Sequence, residues 1–374
     1  MIYSSLESEY LVSLLRCAIK QEKPPKAPDG IDWEKLAKLS KKQQVYSVIV
    51  PVIDLTSVPA EIAEELQVYS QNELVRMLAM KTELEEIEKE LNESNINYMY
   101  LKGLEICNYY PKVSMRQMSD YDIIYDPDKR DLLVRIMKKH GYYLGACEGY
   151  GDDFYKKPYY TFEFHRMLFS DQDEFHPDFD PWKNATRLNG SNRFIISRED
   201  NFIYTICHLY KHYFCRESCG IRFYCDIYLL THSSDNLNYE YIDSVLDKFG
   251  ILDFYKSVLK IVEALFDDCE ISDKEQQIIN TIFENGIYGR GYDKIKEGLQ
   301  KNGGSKFKYI ISRIFPPKKM MVGNYKILEK HIILLPFYYI YRIFEKFHHN
   351  KKIVKSELKR IKNYGKSSED YSWQ

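Results

Sequence analysis

At Ile96 the apolar pattern of this chain changes period, and that change limits what the chain can build. Upstream, Leu66, Leu74, Met77, Leu78, Met80, Leu84, Ile87 and Leu91 recur at helical spacing, the stripe of one or two long amphipathic helices over Glu61–Asn95. Downstream come short β-branched and aromatic runs. Asn97–Leu101, Tyr121–Tyr125, Tyr142–Leu144 and Tyr159–His165 read as strands. Leu104–Tyr110 and Lys129–His140 between them read as helices, the second capped by Asp126-Pro127-Asp128 and stopped at Gly141. The helical period returns at Arg198 and runs through Glu199–Tyr213, Gly220–His232, Tyr239–Gly250, Ile251–Phe266 and Asp273–Asn285. Near the start, Glu7–Lys20 and a segment capped by Asp32 are also helical.

A compact mixed unit set between helical regions is an α+β fold. Its expected divisions are an N-terminal helical region at 1–95, a small mixed-sheet core at 96–197, a helical domain at 198–300 and a basic helical region at 301–374. After Phe315-Pro316-Pro317 that last region is expected to hold two basic amphipathic helices, Tyr325–His348 and Lys351–Tyr364.

The charge balance of 53 basic to 55 acidic residues, with 44% hydrophobic residues among 374, describes a globular chain with a sizeable core. The longest apolar run, Ile332–Tyr341, is interrupted by Pro336 and falls well short of the roughly 20 residues a spanning helix needs. Met1–Tyr10 has neither a basic n-region nor an apolar h-region, and eight scattered cysteines suit reduced thiols, so a cytoplasmic location is expected. Charge is uneven. Residues 301–374 carry 17 Lys/Arg against 5 Asp/Glu, which leaves the preceding 300 residues acidic. A basic tail of this kind is either a solvated helical surface or a module for RNA or an anionic membrane surface; no aromatic-interleaved motif indicates nucleic acid.

Chemistry concentrates around Asp120-Tyr121-Asp122-Ile123. Residues i and i+2 of a strand share a face, so Asp120 and Asp122 point the same way. Two such charges repel unless a cation lies between them, and Mg²⁺ in phosphoryl-transfer sites is held by one or two carboxylates plus substrate phosphates. Glu163 adds a third carboxylate on another strand-like run.

The order Leu101-Lys102-Gly103, Arg116-x-x-x-Asp120-x-Asp122, then Glu163-Phe164-His165 resembles the polymerase-beta-type nucleotidyltransferase superfamily. More narrowly it resembles a bacterial nucleotidyltransferase-like family with a Leu-Lys-Gly strand end. His208-x-x-Lys211-His212 with Arg222 and Asp226, and Leu334-Leu335-Pro336 with Tyr341-Arg342, extend the similarity over nearly the whole chain. The resemblance implies transfer of an NMP group from an NTP, ATP foremost, to an unidentified hydroxyl acceptor. It implies two Mg²⁺ ions bridged by Asp120 and Asp122, with Glu163 holding the catalytic ion. Gly103 would let the backbone approach the phosphates, and Lys102 and Arg116 would neutralise them. One departure stands out: Leu104 follows Gly103 where the superfamily has a small polar residue that helps hold the terminal phosphates. A catalytically silent nucleotide sensor or scaffold is the corresponding alternative.

Other residues carry less. His165 shares a face with Glu163, so it suits either the metal site or substrate contact, or a hydrogen-bonded core position. Lys102 reads equally as a solvated strand-end lysine, and Arg116 as a brace for Asp120 or Asp122. Lys211, His212 and Arg222 form an expected basic face towards the nucleotide. His208 and His212 are spaced like a zinc pair, without an evident third ligand. Arg222 and Asp226 are spaced for an intrahelical ion pair. Cys215, Cys219 and Cys225 lack familiar metal-ligand spacing, and Gly286–Gly291 reads as a turn.

Overall fold

The β-runs assemble into a single sheet in the computed structural model, which describes residues 3, 5–148, 151–169, 179–216, 220–233, 236–286, 305–316, 318, 321, 325 and 327–349. The seven strands are β1 (Tyr98–Tyr100), β2 (Tyr121–Tyr125), β3 (Tyr143–Glu148), β4 (Gly151–Lys156), β5 (Tyr160–His165), β6 (Thr186–Arg187) and β7 (Arg193–Ile195). Their order across the sheet is β3-β4-β5-β2-β1-β7-β6. β2 pairs antiparallel with β1 and parallel with β5. The fold is α+β, as the alternation of periods implied. β4, β6 and β7 are additions to the strands read from sequence.

The helices of the same unit are α1 (Leu6–Lys20), α2 (Trp33–Lys42), α3 (Tyr46–Ile49), α4 (Ala60–Glu93), α5 (Gly103–Ile106), α6 (Arg130–Lys139), α7 (Arg198–Arg216), α8 (Ile221–Thr231), α9 (Tyr239–Lys248), α10 (Leu252–Asp267) and α11 (Asp273–Asn285). Asp32 caps α2 by accepting a hydrogen bond from Lys35 N, as its sequence context suggests. α4 is one continuous helix. It buries Met80, Leu84, Ile87 and Leu91 against the sheet, whereas Leu74 and Leu78 of the same stripe stay exposed.

Side-chain alternation divides the sheet into two apolar faces. Tyr98, Tyr100, Tyr121, Ile123, Tyr125, Phe162 and Phe164 pack with Leu84, Ile87 and Leu91 of α4 and with Leu133 and Met137 of α6. Met99, Leu101 and Ile124 point to the other side, into the core shared with α1, α7, α8 and α10. All five residues of β2 are buried, so Asp122 is a charge set within a core strand. A buried charge of that kind persists only if it is paired.

Residues Met1–Gly289 and Arg290–Gln374 form two compact units. In the second, the described helices are Lys306–Ile314, Ile327–Lys330 and Leu335–His349. The single helix expected over Tyr325–His348 is thus interrupted near His331, and Pro336 lies in the first turn of the later helix, where its missing N–H is least costly. Tyr339 Oη donates to Pro316 O at 2.8 Å within this unit. The stretch 287–291 and the expected helix at 351–364 lie outside the described residues.

Candidate active site

The chain leaves β1 through Leu101, whose N–H donates to Asp122 O at 3.0 Å. Lys102 then turns with φ 45° and ψ −117°, and Gly103 opens α5. A positive φ in a residue with a Cβ is uncommon and costs about 1–3 kcal/mol, which the surroundings must supply. The turn carries the Lys102 ammonium back over β2, 2.6 Å from Asp122 Oδ1 and 5.5 Å from the centre of the Tyr204 ring. Burial alone would lower the Lys102 pKa, but Asp122, with Tyr204 and Glu163, raises it above the ordinary lysine value.

The parallel register of β2 and β5 sets Asp122 beside Glu163 and Ile124 beside His165. His165 reaches back along the same face, so its Nε2 lies 2.9 Å from Asp122 Oδ1 and 3.9 Å from Glu163 Oε2. One ligand atom each from Asp122, Glu163 and His165 lie within 4.8 Å of one another. Asp120 immediately precedes β2, close enough to Glu163 and Asp122 for their charges to act on one another. Glu163 therefore stands among three groups: Asp122 beside it in the register, His165 two residues on, and Asp120 near enough to act on its charge.

The electrostatics follow from this crowding. Burial, then the charges of Asp122 and Asp120, push the Glu163 carboxyl up to about 9. Burial and Asp122 raise Asp120 as well. Asp122 moves the other way. Burial opposes its charge, but Lys102 and the His165 hydrogen bond outweigh it and hold the carboxyl well below the usual range. The crowding therefore favours the ionised form of Asp122 and the protonated form of Glu163, and it shifts Asp120 in the same direction as Glu163. Three oxygen-rich side chains and one imidazole are a donor set that fits a divalent cation.

The remaining expected residues fall in three places. Gly103 lies where an added Cβ would collide with Arg116 Nη1 and come within 2.8 Å of Met118 Sδ, so its small size makes room for those side chains. Leu104 is buried in the core with Tyr100 and Tyr121. Arg116 is engaged away from the carboxylates. Instead of bracing Asp120 or Asp122, it donates through Nε (2.9 Å) and Nη2 (2.8 Å) to Asp226 on α8, which also accepts from Tyr110 Oη at 2.8 Å. The intrahelical Arg222–Asp226 pair is accordingly replaced. Arg222 donates to Gln44 Oε1 and to Gln117 O at 2.7 Å, and lies near enough to Asp120 to favour its charge. Lys211 and His212 are half-buried on α7. The His212 ring stacks obliquely on His208 at 4.4 Å and on Phe223 at 5.3 Å. Cys225 is buried; the side chains of Cys215 and Cys219 are outside the described set.

Comparison with known proteins then identifies the lineage. The family described as "Uncharacterised nucleotidyltransferase" matches residues 29–267. The chain belongs to this family. No curated protein matches it. Two solved structures are similar over about half of the chain. A solution structure of the antibiotic-resistance factor ANT(2'')-Ia shares 15% identity, covers 47% of this chain and 95% of that one, and has a TM-score of 0.35. A crystal structure of ANT(2'')-Ia in complex with adenylyl-2''-tobramycin shares 16% identity, covers 46% and 97%, and has the same TM-score.

Within this nucleotidyltransferase family member, two residues near the carboxylates escaped the sequence reading, and a third was assigned the wrong partner. Asp153 lies opposite Glu163 on β4 and accepts from Tyr155 Oη at 3.1 Å. Its strand opens with Gly151-Asp152, which hides the β pattern. Tyr204 closes over Lys102 from α7, its hydroxyl pushed up to about 12 by burial despite the lysine. Asp226 was read as a partner for Arg222, because only local spacing was visible. Among the described residues no helix is long and apolar enough to cross a membrane.

Proposed function

We propose that this chain is a Mg²⁺-dependent nucleotidyltransferase that passes an NMP group from an NTP to a hydroxyl acceptor by a two-metal route. The observation that supports this most directly is the β2–β5 register, which sets Asp122 beside Glu163 with Asp120 two residues before Asp122. Asp120, Asp122 and Glu163 would hold the ions, which when bound neutralise charge developing on the attacking and leaving oxygens. Lys102 exchanges Asp122 for a phosphate oxygen of the donor as a point charge. Glu163, once its carboxyl is ionised, would take the acceptor's hydroxyl proton as the new O–P bond forms at the α-phosphorus and pyrophosphate leaves. Arg116, fully engaged by Asp226, acts as a strut between the sheet and α8, and Arg222 next to Asp120 is the better-placed arginine for an anionic ligand. Lys211 and His212 remain part of the proposed basic face.

Titration of a non-hydrolysable NTP into the protein with Mg²⁺, followed by pyrophosphate release with NTP and a panel of hydroxyl acceptors, tests the reading. Asp120→Asn and Asp122→Asn should each abolish binding or turnover, and full retention in both would overturn it. Binding without release over a broad panel favours a nucleotide sensor, a reading that the burial of Leu104 in the core supports.

A further inference from the structure

His165 brings a nitrogen donor to a centre that a hard cation would fill with oxygen alone. We propose that the position between Asp122, Glu163 and His165 is a mixed oxygen–nitrogen site that takes a first-row transition ion, Mn²⁺ in the test below, in preference to Mg²⁺. The inference rests on the nucleotidyltransferase reading and refines the metal at one of its two positions.

Three observations carry it. Glu163 and His165 stand at i and i+2 on β5 and so share a face, and the parallel register places that face beside Asp122. His165 is 4% exposed, so its ring is held in place by the surrounding core. Its Nε2 stands 2.9 Å from Asp122 Oδ1 and 3.9 Å from Glu163 Oε2, and the three ligand atoms lie within 4.8 Å of one another. Oxygen and water suit Mg²⁺, which dehydrates reluctantly, whereas imidazole shifts preference towards transition ions. Asp120 offers only oxygen donors, whereas Asp122, Glu163 and His165 form a group that includes nitrogen. The competing account makes His165 only a hydrogen-bond partner that, with Lys102, neutralises Asp122.

Pulsed electron paramagnetic resonance of Mn²⁺ separates the two. The full chain is studied with Mn²⁺ alone and with Mn²⁺ plus inorganic tripolyphosphate, which contains no nitrogen. The proposal expects ¹⁴N modulation on the bound ion, its replacement by a ¹⁵N pattern when histidine is isotopically labelled, and its loss in His165→Gln. It also expects His165→Gln to weaken Mn²⁺ binding on the order of ten-fold or more, since even losing a partner that only orients a ligand costs 10–100-fold. The double variant His208→Gln/His212→Gln should keep the modulation, which excludes the histidine pair of α7 as its source, and His165→Asn serves as a second test at the same position. Bound Mn²⁺ without histidine modulation, modulation lost in the double variant, or mole-for-mole displacement by Mg²⁺ overturns the proposal and leaves the nucleotidyltransferase reading standing. If Mn²⁺ binds neither alone nor with tripolyphosphate, both fall.

Discussion

Lys102 Nζ and Asp122 Oδ1 stand 2.6 Å apart across the end of β1 and the middle of β2. The pair accounts for two otherwise costly features at once. Asp122 is a charge in a strand buried on both faces, and Lys102 occupies a left-handed conformation that β-carbon-bearing residues avoid. The turn is what aims the lysine at the aspartate. The ammonium supplies the positive charge that the buried carboxylate needs, and in the proposed reaction the same residue would pass to a donor phosphate.

Replacing Lys102 by Met removes that charge and keeps the length. Breaking a buried ion pair by deleting one partner costs about 3–5 kcal/mol, and His165 offsets part of this, so a loss of about 3 kcal/mol is expected in urea unfolding at neutral pH. The folded-state pKa of Asp122 is depressed, so its stabilising contribution is present above the unfolded value near 4 and fades as pH falls through the folded one. The gap between wild type and Lys102→Met should therefore narrow below about pH 4. Equal stability at neutral pH would mean the pair contributes nothing.

Glu163 has the opposite sign. Its folded pKa is raised from 4.5 to about 9, so across that window the folded state retains a proton the unfolded chain has released. Stability of the metal-free protein is then highest below the unfolded value and declines as pH rises, with a slope of at most about 1.4 kcal/mol per pH unit. Thermal unfolding of EDTA-treated protein across this window should show the decline, and Glu163→Gln should flatten it. Mg²⁺ should restore the wild type at alkaline pH and leave Glu163→Gln unmoved. A wild-type profile that is flat without metal would count against the crowding of Glu163 by Asp120 and Asp122.

The Gly103-Leu104 pair makes a prediction about packing. A Cβ on Gly103 collides with Arg116 and Met118, and overpacking of this kind costs about 1–3 kcal/mol. Leu104→Ser, which installs a small polar residue like that of the wider superfamily, removes a buried leucine and should cost about 2–3 kcal/mol without restoring a phosphate contact. Chemical denaturation of both variants, with NTP titration of the second, checks this. Tighter NTP binding in Leu104→Ser would show that the residue faces the ligand.

How much of this was legible before the structure depends on range. β1, β2 and β5 announce themselves because aromatic and β-branched residues fill five-to-seven-residue runs, and Asp120, Asp122 and Glu163 could be picked out as a set. Their convergence could not, because it depends on the parallel pairing of β2 with β5. β6 and β7 are two and three residues long, too short to show a period. Periodicity likewise marks a stripe on α4 without saying that Leu74 and Leu78 find no core to meet. Local spacing misled most clearly at Asp226. Its neighbour at i−4 is Arg222, yet the guanidinium it binds belongs to Arg116, 110 residues away in sequence.

That long-range pair supplies the last prediction. Arg116 and Asp226 are both buried, and each has its charge compensated chiefly by the other. Asp226→Asn leaves the guanidinium without its counter-charge and Arg116→Met leaves the carboxylate with only Tyr110, so each single variant should lose about 3–5 kcal/mol. The double variant Arg116→Met/Asp226→Leu removes both charges together. Apolar replacements of a buried pair are often neutral or better, so the double variant should be more stable than either single one. A double-mutant cycle by urea unfolding measures this coupling directly. Because the pair ties the segment before β2 to α8, the single variants should also weaken NTP binding in proportion to any shift of Asp120. Additive losses in the cycle would mean that the two side chains act independently and that Arg116 is available to a ligand after all.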